Sequence, residues 1–391
     1  MKTSRARILL VRDSFPYLGG SSTYLYLLFE VLQKRFPQME CWNILTPTIW
    51  KMGKRHYGTN WTNPKGFANI RTFVLDERKG MLKIRRALKE KPVSVVISKS
   101  RKTTALLKQL DPGVPVWHLT STCSVIKSGV ASGRISSMES AIRHLRSNGI
   151  MKLRSPEELQ AVRAADRILC HTNSMKMWYY TFYPQFRDKV EDEIFWDYPL
   201  LEKQFKHIAT KTPWKKRPID LLFVASDWSR PEKNFSLMKK LCQAFSEKKI
   251  MVVGFLPKSL PSTVITFDAM SQEEVVEAMG QAKVVVCPSR YDEGPNVLFE
   301  GALAGSNIVC SRNCGNYQLS PKELVAQLDL PDFARKIKRA LKSQRKPNTD
   351  YFSKTELGGW ICKHFSKKSA ELPEAEARVS VKSQKRSPQH R

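Results

Sequence analysis

The sequence is short of acidic residues and lacks long apolar runs. It contains 66 Lys and Arg against 36 Asp and Glu, which gives a formal net charge of +30 at pH 7. It has no stretch of 18 or more consecutive apolar residues, the length that a membrane-spanning helix requires. The hydrophobic fraction of 41% is ordinary for a globular protein, so we expect a folded chain that does not cross a membrane.

Several motifs that mark particular protein classes are also missing. There is no Gly-x-Gly-x-x-Gly fingerprint of a dinucleotide site, and no zinc-finger or RNP motif that reads nucleic acid. Cys310 and Cys314 are four residues apart, but no second pair or histidine is spaced to complete a zinc site. The eight cysteines lie mostly in apolar surroundings, which is typical of buried thiols in a reducing compartment. The apolar run near the N-terminus ends at Val11, too early for a signal peptide, so we expect a cytoplasmic protein.

Segments typical of strands and helices alternate along the chain, which favours parallel sheets and an α/β fold. A length of 391 residues suits two domains better than one. A stretch rich in Pro and Lys at 196–218 predicts the linker. We expect domains at 1–202 and 203–350, a helix at 351–365 and a disordered basic tail at 366–391.

The segment from Val284 to Gly305 is the most informative part of the sequence. A buried strand, Val284 to Val286, ends at a proline, and an acidic loop follows it. Pro295 lies where a helix would begin, since its fixed φ and missing N–H carry no penalty there. Gly305 suits the position just after that helix ends. The pattern predicts a strand, a short loop and a helix.

This predicted junction gathers acidic side chains and free N–H groups. Asp292 and Glu293 lie in the loop, and Glu300 lies in the helix. The free N–H groups of the first turn lie at the positive end of the helix dipole and belong to Asn296, Val297 and Leu298. Such a junction suits a ligand with an anionic part and several hydroxyl groups, because the N–H groups bind the anion and the carboxylates accept from hydroxyls.

Two cations follow an earlier predicted strand, Ile219 to Ala225. Arg230 and Lys233 lie just after its carboxyl end, where ligands bind in open α/β sheets, and a helix from about Phe235 to Phe245 comes next. Fixed cations there stabilise negative charge that develops on a departing phosphate. Considered one at a time, either residue would be an ordinary solvated charge on the protein surface.

The N-terminal segment repeats the order of strand, loop and helix. A predicted strand, Ala6 to Val11, leads into a loop that contains Gly19 and Gly20, and a helix from about Tyr24 to Phe36 follows. Glycines without Cβ let a ligand approach the backbone closely. We therefore expect Gly19 and Gly20 to line a ligand cleft.

Together these segments resemble the retaining, family-4-like glycosyltransferases of the GT-B fold (glycosyl transferases group 1), with two Rossmann-like domains facing across a cleft. The family pattern has two acidic residues eight positions apart, which here pairs Asp292 with Glu300; alternatively the loop is one residue short and Glu293 is the first acid. The resemblance implies that Glu300 holds the ribose hydroxyls, that Asp292 or Glu293 holds the donor sugar, and that Arg230 and Lys233 clamp the diphosphate. It also implies that the 351–365 helix crosses back to the first domain.

The implied reaction transfers a sugar from a nucleoside-diphosphate sugar to an unknown acceptor, with retention and without a metal or a further cofactor. The acceptor is a glycan, a lipid-linked molecule or a small molecule, and the sequence does not name it. His118 ends a predicted strand, Val114 to His118, and a histidine near that place in the family often contacts the donor sugar. For His118, sugar contact and simple packing both stay open. The acceptor loops are expected in 120–147.

The excess of positive charge has several readings. It favours polyanions, such as the anionic headgroups at the inner face of a membrane, an acidic glycan or the nucleotide donor. Nucleic acid is disfavoured because no reader motif is found. A merely solvated basic surface is the plain alternative. The rivals to the enzyme are a different GT-B enzyme such as an epimerase, a non-catalytic GT-B-like binding protein, and a polyanion- or nucleic-acid-binding protein.

Overall fold

The computed structural model of the chain describes residues 7–13, 25, 28–30, 32–34, 36–57, 69–120, 129, 156–194, 211–268, 270–348, 357, 359–361, 363 and 364. This part of the chain forms two parallel β-sheets with helices packed against them. The α/β class expected from the alternating pattern is confirmed. The predicted linker falls mainly outside the described residues, as do Gly19, Gly20, nearly all of 120–147 and the whole tail, so the domain limits stay predictions.

The first sheet has seven strands in the order β3-β2-β1-β4-β5-β6-β7. Its strands are β1 (Ile8–Arg12), β2 (Glu40–Leu45), β3 (Ile70–Val74), β4 (Val95–Ser98), β5 (Val116–Leu119), β6 (Arg167–Cys170) and β7 (Val190–Ile194). Its helices are α1 (Pro47–Tyr57), α2 (Glu77–Glu90), α3 (Arg101–Leu110), α4 (Pro156–Ala164) and α5 (Asn173–Phe182), and a 3₁₀ helix spans Pro184–Lys189. We call this sheet and its helices the first half.

The second sheet has six strands in the order β10-β9-β8-β11-β12-β13. Its strands are β8 (Ile219–Asp227), β9 (Ile250–Phe255), β10 (Val264–Phe267), β11 (Ala282–Cys287), β12 (Asn307–Ser311) and β13 (Val325–Ala326). Its helices are α6 (Phe235–Ala244), α7 (Gln272–Gln281), α8 (Asn296–Leu303) and α9 (Leu330–Lys342). Short 3₁₀ turns occur at Trp214–Lys216, Pro231–Lys233, Tyr317–Leu319 and Lys322–Leu324. This sheet and its helices form the second half.

The sequence explains why these elements begin and end where they do. The central strands β4 (Val-Val-Ile-Ser) and β11 (Ala-Lys-Val-Val-Val-Cys) are mostly apolar and buried, because strands of a parallel sheet are covered on both faces. Helix α7 begins after Ser271, which forms a complete capping box with Glu274. The predicted helix between Pro295 and Gly305 is α8, and Gly305 has a φ of 73°, as a residue just after a helix requires.

Apolar clusters cover both faces of each sheet. In the second half, α7 and α8 pack on one face, and α6 and α9 pack on the other. In the first half, α2 and α3 contribute to one cluster. The opposite cluster includes Leu357 and Ile361, which are fully buried and lie in helical backbone near the end of the described chain. The segment predicted to cross back thus packs on the first sheet.

Candidate functional site

Two loops meet at the carboxyl edge of the second sheet. The loop after β8 contains the Pro231–Lys233 turn, and the loop after β11 contains the acidic segment that precedes α8. The N–H of Arg290 donates to the carbonyl of Glu232 over 2.8 Å, and the Asn234 side chain donates to the carbonyl of Pro288 over 3.1 Å. Asn234 adopts the left-handed conformation, with a φ of 62°, which reverses the chain before α6. These contacts hold the two loops together.

The central feature of the edge is an ion pair between the two loops. Lys233 Nζ lies 2.5 Å from Asp292 Oδ2, although the residues are 59 positions apart in sequence. The two side chains are only 17% and 13% exposed. Burial alone lowers the pKa of Lys233, but the neighbouring Asp292 carboxylate outweighs it, so the pKa is raised. Lys233 therefore remains a fixed cation at neutral pH.

Arg230, the other predicted cation, is held differently. Its guanidinium donates through Nε and Nη2 to Oε1 of Glu232, over 2.8 and 2.5 Å. Glu232 is buried, whereas the Arg230 side chain is 36% exposed. Sequence reasoning assigned no role to Glu232, although its position two residues after the arginine was an available signal. This carboxylate orients the guanidinium and uses two of its five N–H donors.

The loop after β12 makes hydrogen bonds to the backbone of the acidic loop. The N–H of Gly315 donates to the carbonyl of Asp292 over 2.7 Å, and the Asn313 side chain donates to the carbonyl of Arg290 over 2.8 Å. A Cβ on Gly315 would lie 1.8 Å from the carbonyl oxygen of Glu293, so this position tolerates only glycine. The backbone of the acidic loop is thus fixed by main-chain contacts with the loop after β12.

Helix α8 begins directly behind the ion pair. Pro295 precedes the helix and gives no side-chain cap to the first-turn N–H groups of Asn296 and Val297. The N–H of Leu298 is not free as predicted, because it donates to the carbonyl of Pro295 over 3.1 Å, and the fully buried Leu298 side chain anchors the turn in the core. Glu300 lies one turn further along and is 6% exposed. The edge therefore combines a helix N-terminus, two cations and several carboxylates. We call this surface the wall; its residues are Arg230, Lys233, Asp292, Glu293, Asn296, Val297, Leu298 and Glu300.

Two thiols lie beneath this wall. Cys287 Sγ is 3.8 Å from Cys314 Sγ, and both residues are buried. The sulfur–sulfur contact lowers the pKa of Cys287 and raises that of Cys314. The six cysteines that the structure describes are all free and buried, as the sequence predicted. Spacing along the sequence suggested Cys310 as the neighbour of Cys314. The contact between Cys314 and Cys287 could not be predicted, because it depends on which loops are adjacent in the fold.

Tyr291 connects the acidic loop to the first half. It precedes Asp292 in the chain and is only 2% exposed. Its side chain belongs to the apolar cluster that Trp178, Phe182 and other residues of the first half form around α5. The loop that carries Asp292 is therefore packed against the neighbouring half as well as against its own sheet.

The carboxyl edge of the first sheet has a different character. Ser100 caps α3 and hydrogen-bonds to the Asp13 carboxylate, which follows β1. Burial lowers the pKa of Lys99 to about 7. His118, on β5, has no exposed surface, and its Nδ1 lies 3.0 Å from the Thr104 hydroxyl. Burial, with a smaller effect from Arg101, lowers the pKa of His118 to about 3, so the ring is neutral at physiological pH.

A buried carboxylate joins two helices of the first half. Glu158 on α4 is fully buried, and its carboxylate lies 3.7 Å from the Arg101 guanidinium on α3. The Tyr183 hydroxyl donates to it over 3.1 Å. Burial raises the pKa of Glu158, and the arginine and the tyrosine counteract this only in part. These contacts fasten the helices to one another.

The structure brings together most of the residues singled out in the sequence. Residues of the second-half wall that had been predicted are Arg230, Lys233, Asp292, Glu293, Asn296, Val297, Leu298 and Glu300. His118 belongs to the first half, and its sugar contact stays a prediction, as do the roles of the wall residues. Gly19 and Gly20 lie outside the described residues.

Two further properties concern only the described part of the chain. Within it, no group of three or more His, Cys, Asp or Glu side chains is arranged to hold a metal ion. Within the same residues, no helix has the length and apolar character of a membrane span.

Comparisons with known proteins agree on the architecture. The sequence model of the family "Glycosyl transferases group 1" matches residues 218–343, which include the whole wall. A search of curated protein sequences gave no match. Among solved structures, HepE of Anabaena in complex with UDP and glucose is similar, with a TM-score of 0.59, 12% identity, and coverage of 94% of this chain and 100% of that chain. Sucrose-phosphate synthase from Thermosynechococcus elongatus has a TM-score of 0.59, 14% identity, and coverage of 94% and 100%.

The lipopolysaccharide outer core galactosyltransferase WaaB is also similar, with a TM-score of 0.57, 11% identity, and coverage of 92% of this chain and 99% of that chain. The match extends over nearly the full length of each structure, and both sheets are included. The chain therefore has the GT-B glycosyltransferase fold, and its second half is similar in sequence to glycosyl transferases group 1.

Proposed function

We propose that this protein is a glycosyltransferase that moves a sugar from a nucleoside-diphosphate sugar to an acceptor, with retention of anomeric configuration. The observation that carries the proposal is the Lys233–Asp292 ion pair, which is fixed at the N-terminus of α8. It places a permanent cation, a carboxylate and helix N–H groups where a diphosphate and a sugar would both find partners.

The proposed role of Lys233 follows from its hydrogen-bonding capacity. An ammonium group has three N–H donors, and the bond to Asp292 uses one of them. The remaining donors can bind phosphate oxygens while Asp292 keeps the side chain in place. When the glycosidic bond to the diphosphate breaks, negative charge grows on the leaving phosphate, and a cation already held in position stabilises it without reorganising. Arg230, oriented by Glu232, would supply a second cation.

Glu300 is assigned to the ribose of the donor. It lies in α8, one turn behind the N–H groups that would face the diphosphate. A carboxylate accepts hydrogen bonds from two vicinal hydroxyl groups, which a ribose presents and a bare phosphate does not. Asp292, or Glu293 beside it, would accept from a hydroxyl of the donor sugar. His118 would reach the sugar only if its Nε2 face were uncovered, since the whole residue is buried.

Retention and metal independence are parts of the same proposal. Two side-chain cations and a helix N-terminus supply the positive charge that a metal would otherwise provide. Departure and attack on the same face of the sugar would let the leaving phosphate assist deprotonation of the acceptor. Cytoplasmic location and peripheral association with an anionic membrane are further proposals, supported by the net charge of +30.

The test is a thermal-shift screen of the purified chain. It would use UDP, GDP, ADP, CDP and TDP sugars and the free diphosphates, each with and without EDTA. We expect stabilisation by one nucleotide that EDTA leaves unchanged and that Lys233→Ala and Glu300→Ala abolish. The UDP complexes of HepE make uridine nucleotides the first to try. A folded protein that no nucleotide stabilises would instead be a non-catalytic or polyanion-binding member of the fold.

A further inference from the structure

Helix α2 of the first half has one face in the core and one face in solvent. Ile84, Ala87 and Leu88 are buried in the cluster that covers β2 and β3. These contacts fix the rotation of the helix about its axis. Since successive residues are about 100° apart around a helix, the face opposite Ile84 is centred near Leu82, which is about 160° away.

The solvent face of α2 combines cations with a large apolar side chain. Leu82 is 55% exposed and is among the most exposed large apolar residues that the structure describes, whereas Met81, about 60° around the helix from Ile84, lies at the edge of the core face and is 39% exposed. Five exposed cations share this helix: Lys79, Lys83, Arg85, Arg86 and Lys89. Arg85 and Arg86 lie on either side of the Leu82 direction. The most exposed leucine of the helix thus projects from the middle of a basic surface.

These cations are not engaged in neutralising contacts within the described residues. No ion pair forms there with any of the five, although the acidic residue at the end of the helix, Glu90, binds Arg71 over 3.2 Å. The surface therefore carries a concentrated positive charge that a partner can meet. An exposed leucine inside such a surface is unfavourable in water. A helix face that only contacts solvent usually has polar residues at such positions.

We propose that the solvent face of α2 docks this protein on an anionic lipid membrane. Basic side chains bind anionic headgroups electrostatically, and Leu82 enters the boundary between headgroups and acyl chains. Nucleic acid would satisfy the cations equally well, but it would leave the leucine at the centre of the contact without an apolar environment. A helix face that combines cations with an exposed leucine therefore favours an anionic lipid surface over nucleic acid.

The position of the helix suits an enzyme that works beside a membrane. Helix α2 starts directly after β3, so its first turn lies at the carboxyl edge of the first sheet. The same edge carries Asp13, Lys99 and Ser100 after their own strands. Docking through α2 would bring lipid close to this edge while leaving the wall of the second half free. The docking surface itself does not depend on the proposed reaction.

The experiment is vesicle flotation of the full-length chain. Vesicles of phosphatidylcholine alone would be compared with vesicles that also contain phosphatidylglycerol. We expect binding only to the anionic vesicles, weakening as salt is added. Arg85→Gln with Arg86→Gln should lower the partition coefficient roughly 30-fold. Leu82→Gln, which changes no charge, should lower it roughly fivefold.

The matched control removes the same charge elsewhere. Lys338 and Arg339 are exposed on α9, a fully described helix without a large exposed apolar residue. Lys338→Gln with Arg339→Gln should leave flotation nearly unchanged. Equal loss in both double variants, or no effect of Leu82→Gln, would overturn the proposal in favour of diffuse polyanion binding, which competition by an oligonucleotide would reveal. Absence of flotation would overturn it outright. Nucleotide stabilisation should persist in every variant, so this result is separable from the proposed reaction.

Discussion

At the carboxyl edge of the second sheet, three loops are joined by main-chain hydrogen bonds, and they hold the Lys233–Asp292 pair at the surface of a wall. At the carboxyl edge of the first sheet, the charged groups Arg101 and Glu158 turn inward between helices, and His118 has no exposed surface. The edge of the second sheet keeps its ion pair partly exposed at the surface. The other uses its polar groups to fasten its own elements.

This difference teaches which polar groups are available for chemistry. A buried group that strands and helices already satisfy contributes specificity of folding, and it binds a ligand only after rearrangement. A group held in place by a partner but still partly exposed, such as Lys233, keeps spare donors in a fixed position. In the proposed reaction we therefore expect recognition of the donor at the described wall of the second half, and recognition of the acceptor at residues other than the buried groups of the first half.

The largest expected effect comes from breaking the ion pair of the wall. Lys233→Ala should lower the free energy of unfolding by about 3 kcal/mol, because it leaves the Asp292 carboxylate nearly buried without its cation. The double variant with Asp292→Ala should cost less than the sum of the two single variants. Chemical denaturation of the four proteins measures both quantities.

The control is an ion pair of the first half. Lys176 contacts Asp192 over 2.9 Å, but Asp192 is 90% exposed. Lys176→Ala should change stability little, since solvent screens such pairs. Equal losses of stability in Lys233→Ala and Lys176→Ala would show that the ion pair of the wall is no stronger than an exposed one.

The next effect concerns the close approach at Gly315. Gly315→Ala should cost about 1–3 kcal/mol, because the new Cβ must displace the carbonyl of Glu293, and nucleotide stabilisation should be lost with it. Gly113→Ala in the first half is the matched substitution, since its Cβ would meet Asp111 at an ordinary 3.5 Å. Thermal unfolding with and without nucleotide separates the two glycines. A tolerated Gly315→Ala would mean that the loops are not fixed as a unit.

The buried His118 of the first half should make the free energy of unfolding depend on pH. His118 has a folded pKa of about 3, against about 6.5 when unfolded. Between these values the unfolded chain binds a proton that the folded chain excludes, so stability is lost as pH falls through this window. The slope due to this one group approaches about 1.4 kcal/mol per pH unit. Urea titrations from neutral to acidic pH should show a shallower slope in His118→Asn, and an unchanged slope would place the histidine in contact with water.

The smallest expected effect is at Glu300. Glu300→Gln keeps the size of the side chain and should weaken binding of the nucleoside diphosphate about tenfold, which corresponds to about 1.4 kcal/mol. Binding of inorganic pyrophosphate should be unaffected, because it has no ribose. Calorimetry with both ligands is the measurement. Equal weakening for the two would remove the ribose assignment.

Much of the second half could be predicted from its sequence. The strand predicted from Ile219 is β8, the helix predicted from Phe235 is α6, and the junction at Pro295 is the start of α8. Local signals were sufficient there, because proline, glycine and capping residues mark the ends of elements directly. The predicted strand ending at His118 is shifted by one or two residues in β5, since burial in a parallel sheet leaves no periodic pattern that fixes its ends.

Contacts between loops could not be predicted in the same way. The distance from Lys233 to Asp292 depends on β8 and β11 being neighbours in the sheet, and spacing along the chain does not contain that order. The meeting of Cys287 with Cys314 and the approach of Gly315 to Glu293 have the same origin. Residue types indicated the chemistry of the wall, while strand order decided which of them touch.

The packing of Tyr291 has a thermodynamic consequence. Its ring is buried among residues of the first half, yet it adjoins Asp292 in the acidic loop. Any rotation of one half against the other must either unpack this ring or pull on the loop. By reciprocity, a molecule that prefers one loop conformation must also bias the angle between the halves. Binding of the proposed donor at this loop and the angle between the halves would then be linked equilibria, with Tyr291 as one point of coupling.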